Sequence, residues 1–175
     1  AQETAESNGS TSSRVRMIGD GLGLQPADMA RLWTHLAEEK RIVQDSYSNG
    51  GTVEELETEF AARLGKERAV FMPTGTLANH LAVRTLARGT GRAIVQAESH
   101  LFNDSGDCVQ SLSGINLIPL APGRASFTLD EMRKVIERTA SGRVATPVSV
   151  ICLESPVRRR FGETFDQTEM DRIVN

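Results

Sequence analysis

Apolar residues recur at helical spacing from Pro26 to Lys40, where Met29, Leu32, Trp33 and Leu36 share one face. Pro26 suits the first helical position, where a missing N–H is no loss. The pattern predicts a helix packed on something larger. Asp45-Ser46-Tyr47-Ser48-Asn49-Gly50-Gly51 then reads as a loop of small polar residues and paired glycines. Thr52 to Leu64 reads as a second helix: Thr52 and Glu55 form a capping-box pattern, Val53, Leu56, Phe60 and Leu64 repeat along one side, and Gly65 can close the end in a left-handed conformation.

From that point strands and helices alternate. Ala69 to Met72 predicts a short buried strand, Leu77 to Arg88 a helix ended by Gly89, and Ala93 to Ala97 the next strand. Asp104 to Leu112 reads as helical and Asn116 to Leu120 as a strand, with Pro119 placing it at an edge or a strand end. Thr128 to Ala140 is a helix opened by a second capping box, Thr128 with Glu131, turning Leu129, Met132 and Ile136 inward. Val148 to Leu153 is a β-branched strand, and a last helix, capped by Asp166 with Glu169 at the third position, starts near Gln167. It reaches Asn175 without a stop signal, which leads us to expect a truncated chain.

Strands separated by helices of about ten residues or more cannot be hairpins, so the economical architecture is α/β, a mainly parallel sheet with helices on both faces in three αβα layers. Ligands in such sheets sit beyond the carboxyl ends of the strands. Three segments fall on that rim: Pro73 to Asn79, Glu98 to Asp104 and Glu154 to Gly162. The expected organisation is a disordered tail over residues 1–16, a helix-and-loop arm over 17–51 and an incomplete α/β domain over 52–175.

Composition narrows the function classes. Twenty basic and 23 acidic residues leave a net charge of -3, which provides no electrostatic reason to expect nucleic acid or an anionic membrane as partner. No apolar run approaches the ~18 residues of a transmembrane helix. Cys108 and Cys152 lie in apolar stretches and read as buried free thiols, and no metal constellation is visible. The Arg158-Arg159-Arg160 run reads as a solvated loop, with a phosphate or carboxylate site as the minority reading. The polar opening, Ala1 to Ser13, fits either a terminal scar or the new end left by signal-peptide removal.

Two rim segments carry candidate chemistry. In Pro73-Thr74-Gly75-Thr76-Leu77-Ala78-Asn79 a strand runs into a helix through a hydroxyl-rich turn, so free N–H groups, close approach at Gly75 and the Thr74 and Thr76 hydroxyls could receive a phosphate. Simple N-capping by either threonine explains the same residues. In Glu98-Ser99-His100-Leu101-Phe102-Asn103-Asp104 a histidine directly follows a buried strand, which suits either a structural hydrogen bond or proton transfer.

The ordered series Asp45-Ser46-Tyr47, Thr52-Val53-Glu54-Glu55-Leu56-Glu57, Gly65-Lys66-Glu67, Phe71-Met72-Pro73-Thr74-Gly75-Thr76-Leu77-Ala78-Asn79, Glu98-Ser99-His100 and Leu153-Glu154-Ser155 resembles the opening of threonine aldolases and related β-eliminating lyases. Those enzymes share the aspartate-aminotransferase-like fold that binds pyridoxal 5'-phosphate (PLP). The resemblance implies that Thr74, Gly75 and Thr76 hold the cofactor phosphate, and that His100 stacks on the pyridine ring and faces the substrate hydroxyl. It also matches Asp20 to an acidic residue of the family's amino-terminal loop. The implied reaction is cleavage of a β-hydroxy-α-amino acid to glycine and an aldehyde, with β-elimination, transamination or a non-enzymatic binding domain as alternatives.

Where many members have Glu-Asn-Thr-His, this chain has Glu154-Ser155-Pro156-Val157 and then the arginine run. The family's cofactor-holding lysine matches nothing here, since Lys40, Lys66 and Lys134 all fall on predicted helices or their ends. The chain by itself is therefore expected to be inactive. Its partners are expected to be an amino acid substrate and either a second copy or the missing carboxyl-terminal half, with the loop containing Tyr47 reaching across. A cytoplasmic location is the family default, and an exported mature form is the alternative.

Overall fold

Pro26 opens the first helix of the chain, α1 (Pro26–Glu38), without the need for a donor at that position. The computed structural model describes residues 23–88 and 91–175. Two units make up the chain, residues 1–71 and 72–175, and each is described by itself. The predicted tail and Asp20 lie outside the described residues, as does Gly89.

In the first unit α1 is followed by a tight turn with a Ser46–Asn49 bridge, in which Tyr47 and Ser48 adopt positive φ and Ser48 N donates to Asp45 Oδ1 at 3.0 Å. The second helix, α2, spans Gly51–Arg63. The expected Thr52–Glu55 capping box does not form. The helix begins one residue earlier, and Thr52 Oγ1 instead accepts from Val43 N at 2.7 Å. Gly51 is required there, because a Cβ would meet the Gln44 and Val43 carbonyl oxygens at 2.8 and 2.9 Å, and its φ is +61°. The carboxyl end behaves as expected: Gly65 is left-handed, Lys66 N donates to Ala61 O and Gly65 N to Ala62 O.

Two further expectations fail in this unit. No residue of α1 is buried: Leu32 and Leu36 are half-buried and Met29 and Trp33 exposed, so its apolar stripe is only partly covered among the described residues. Ala69 to Met72 is not a strand. A strand exists only with a neighbour to complete its ladder. Val70 and Phe71 are exposed instead, and Phe71 N donates to the Glu57 carboxylate at 2.7 Å.

The second unit is the sheet. It contains α3 (Gly75–Leu86), β1 (Arg92–Gln96), α4 (His100–Asn103), α5 (Cys108–Ser113), β2 (Asn116–Leu120), α6 (Leu129–Ala140), β3 (Val148–Ile151), a 3-10 turn at Arg158–Arg160, and α7 (Gln167–Val174). The strands are all parallel in the order β2-β1-β3, with Ile94 opposite Ile118 on one side and Ile151 on the other. Pro119 falls on an edge strand, where its missing N–H breaks no inner ladder.

Alternation along β1 divides the core. Ala93 and Val95 face Val83 and Ala87 of α3's carboxyl end, Leu101 of α4 and Val109 of α5. Ile94 faces Phe127, then Leu129, Met132 and Val135 of α6, and Phe165. Phe127 and Phe165 meet edge to face with centroids 5.3 Å apart. The three-layer αβα arrangement read from the sequence is therefore present, with α3, α4 and α5 on one face and α6 and α7 on the other.

Local signals set most boundaries. The Thr128–Glu131 capping box forms in both directions, and Asp166 Oδ1 accepts from Glu169 N at 2.8 Å. Of the helix expected over Asp104 to Leu112 only the part from Cys108 forms, as α5; Gly106 and Asp107 take left-handed φ values of 61° and 53° and separate it from α4, which ends at Asn103. The β3 ladder closes at Ile151, two residues short of Leu153. Cys108 and Cys152 are free and half-buried rather than buried. Among the described residues no helix is long and apolar enough to cross a membrane.

The capping box predicts a pH dependence. The Thr128 N–H holds the Glu131 carboxyl below its ordinary 4.5, with Arg124 assisting against partial burial. A depressed folded value means that the contribution is complete above pH 4.5 and is lost as pH falls through that lower value. Glu131→Gln is expected to flatten the acid limb of a stability curve measured by urea unfolding. An acid limb identical to that of the unaltered protein would remove this role.

Candidate functional site

The first rim loop is built by capping. Thr74 is extended, its Oγ1 accepts from Leu77 N at 3.1 Å, and α3 starts behind it at Gly75. The N–H groups of Gly75 and Thr76 come first in the helix and have no intrahelical partner. A Cβ placed on Gly75 would meet nothing within 4 Å, so a ligand has room to approach these amides. The Thr74 hydroxyl keeps its proton free to donate while its oxygen caps the helix.

The second rim loop brings His100 to the same place. His100 opens α4, and its Nε2 lies 3.2 Å from Thr76 Oγ1. Two segments 24 positions apart, each picked from the rim rule, thus meet side chain to side chain. On the other side of the ring, Nδ1 is 3.9 Å from Asp104 Oδ2, and Asp104 Oδ1 accepts from Arg159 Nη1 at 2.7 Å.

The third rim loop holds the second in place. Glu154 Oε2 accepts from His100 N at 2.5 Å, and Glu154 Oε1 accepts from Arg158 N at 2.9 Å. Gln96, fully buried at the end of β1, fixes Glu154: its Nε2 donates to Glu154 O at 2.7 Å and to Ala125 O at 3.0 Å, while its Oε1 accepts from Glu154 N at 2.9 Å. Cys152, just before this turn, has its thiol pushed above 9.0 by burial, with the Glu154 charge adding to the effect. It therefore stays protonated at neutral pH.

Sequence reasoning missed Gln96, and named Glu154, Asp104 and Arg159 only as members of rim segments, without a role. Glu154 had a signal, since it follows a strand at the ligand-bearing edge. Arg159 was read within a solvated loop. The run is a 3-10 turn in which Arg158 and Arg159 are exposed, as that reading has it, with Arg159 also paired to Asp104 and Arg160 to Glu163. Val157, which stands where the resemblance expects histidine, is fully buried and presents no polar group. Lys134 is exposed on α6, on the sheet face opposite α3 and α4, and Lys40 and Lys66 belong to the first unit.

The family described as β-eliminating lyase matches residues 35–175. A solved structure from Listeria monocytogenes EGD-E, designated an L-allo-threonine aldolase, is 30% identical with a TM-score of 0.68, covering 86% of this chain and 40% of that one. Another from Exiguobacterium sp. 255-15, designated an aromatic amino acid β-eliminating lyase/threonine aldolase, is 26% identical with a TM-score of 0.69, covering 89% and 41%. The chain therefore spans about two fifths of the length of these structures. No curated protein matches it.

Replacing Gln96 by leucine keeps the volume but strands the Ala125 carbonyl and both backbone groups of Glu154. At ~1–3 kcal/mol for each unsatisfied group, a loss of roughly 3 kcal/mol or more is expected on urea unfolding. The His100 amide resonance should move with it. A loss under about 1 kcal/mol with that resonance unchanged would show that the buried amide does not hold the rim.

Proposed function

The chain belongs to the β-eliminating lyase family, and from that premise we propose that its rim is the phosphate-binding and proton-accepting side of a PLP-dependent lyase of the threonine aldolase type. The substrate class is a β-hydroxy-α-amino acid, cleaved to glycine and an aldehyde. The observation that supports this most is the 3.2 Å approach of Thr76 Oγ1 to His100 Nε2, because it sets a proton-transfer group beside a helix amino end.

The residues present fit the cofactor's phosphate. The Gly75 and Thr76 amides and the Thr74 and Thr76 hydroxyls are donors at the positive end of a helix, which suits a group of about two negative charges. When bound, the cofactor supplies a sink for the electron pair released at the substrate α-carbon. His100 has the complementary task of taking the proton of the β-hydroxyl, so that the Cα–Cβ bond can break. Glu154 keeps the His100 backbone in place while that proton moves. The residue supplying the family's covalent lysine is not assigned to Lys40, Lys66 or Lys134. A second copy or a further segment is the proposed partner, with the Tyr47 turn, 97% exposed, as the surface that reaches it.

Two substitutions in a complete enzyme containing this segment test the assignment. His100→Phe should keep cofactor occupancy and lower turnover of a β-hydroxy amino acid by ~10²–10⁴-fold, as expected for loss of a general base. Thr76→Val should weaken cofactor retention first, since a hydrogen bond to a charged group is worth about 1.5–3 kcal/mol. Unchanged turnover in His100→Phe would reduce His100 to a packing residue. Glycine and aldehyde as products separate aldol cleavage from β-elimination.

A further inference from the structure

We propose that Arg159 is a positioning residue for His100. By holding one oxygen of Asp104 it aims the other at Nδ1, which keeps the imidazole proton on Nδ1 and leaves Nε2 with its lone pair. The inference deepens the reading of His100 as proton acceptor and takes its functional meaning from that reading.

The ring has a different neighbour on each nitrogen. Opposite Nε2 is the Thr76 hydroxyl at 3.2 Å, which can donate or accept and so selects neither tautomer. Opposite Nδ1 is the Asp104 carboxylate at 3.9 Å. That is too long for a hydrogen bond, but a carboxylate only accepts, and its charge attracts an N–H and repels a lone pair. The asymmetry favours Nδ1–H; the single proton of the Thr76 hydroxyl then goes either to Nε2 or to a phosphate at the amino end of α3, and in the second case the Nε2 lone pair is free.

Asp104 cannot keep that aim unaided. It caps a helix of only four residues, too short to be rigid by itself, and its side chain is 30% exposed. Arg159 arrives from the turn beyond β3 and takes Asp104 Oδ1 at 2.7 Å, leaving Oδ2 toward the ring. An ion pair this exposed adds little stability, so its consequence is geometric. The turn is itself referenced to His100, because Glu154 accepts from Arg158 N with one oxygen and from His100 N with the other. Among the described residues, the charged groups paired with or bonded to His100 or its partner Asp104 are Asp104 on its own helix, and Glu154 and Arg159 from the segment after β3. From α3 it meets the uncharged Thr76.

The test uses the 175-residue chain, labelled with 15N and observed above the pH at which its rings are protonated, where imidazole nitrogen resonances report which nitrogen carries hydrogen. Only three histidines are present, so His100→Gln assigns the His100 signals. The unaltered chain should show His100 as Nδ1–H. Arg159→Ala and Asp104→Ala should move it toward Nε2–H, the form that free histidine favours, and Arg159→Lys should restore Nδ1–H. His80, buried and 2.7 Å from Ser113 Oγ, is the internal control. Its signals should stay fixed in every variant, which separates a local change from unfolding. An unaltered chain in the Nε2–H form, or the same Nδ1–H form in Arg159→Ala with His80 undisturbed, would overturn the proposal. Neither cofactor nor turnover enters this readout, so loss of the lyase reading would leave its outcome intact, and the reverse.

Discussion

The rim is held together by one buried amide. Gln96 is completely withdrawn from water, and an amide there must spend its hydrogen bonds inside the protein or cost stability. It does so on the backbone leaving β3 and on the Ala125 carbonyl. Because Glu154 is fixed in this way, its carboxylate can take His100 N and Arg158 N together. The central strand thereby sets the position of two loops that are distant in sequence. A hydrophobic residue at position 96 could fill the same space, but it could not transmit that position.

Topology supplies the opening that the amide then stabilises. The chain leaves β1 through α4 and α5 to reach β2 on one side, then returns over the sheet through α6 to β3 on the other. Crossovers of one hand that run in opposite directions lie on opposite faces. The clusters on either side of β1 reflect that rule. Between the carboxyl ends of β1 and β3 the loops separate, and ligands of such sheets occupy that crevice. The amino end of α3 lies beside it, as the contact from Thr76 to His100 shows.

What could be read in the sequence was what depends on neighbours in the chain. The Thr128–Glu131 box and the Asp166 cap involve backbone three residues away, and both form. Thr52 and Glu55 offer the same spacing, yet Val43, nine positions earlier, takes the threonine hydroxyl. Ala69 to Met72 has strand composition but no strand beside it, and composition cannot supply a partner. The Thr76–His100 encounter was legible in outline, although the rim rule accounts only for His100, which follows β1, since the strand expected before Thr74 does not form. The bonds from Gln96 to Glu154, from His100 to Glu154 and from Arg159 to Asp104 span 58, 54 and 55 positions. No local pattern encodes pairs so far apart, which is why the residues that support the site were found only in the structure.

The most direct test of the central claim, a phosphate cradle at the amino end of α3 beside His100, is amide NMR of the 15N-labelled chain titrated with pyridoxal 5'-phosphate and, separately, with pyridoxal. The account predicts that the Gly75 and Thr76 amide resonances move with the phosphorylated compound and stay in place with pyridoxal, with the His100 ring signals moving alongside them. Gly75 and Thr76 amides that remain fixed at saturating pyridoxal 5'-phosphate, or that move equally with both compounds, would contradict it.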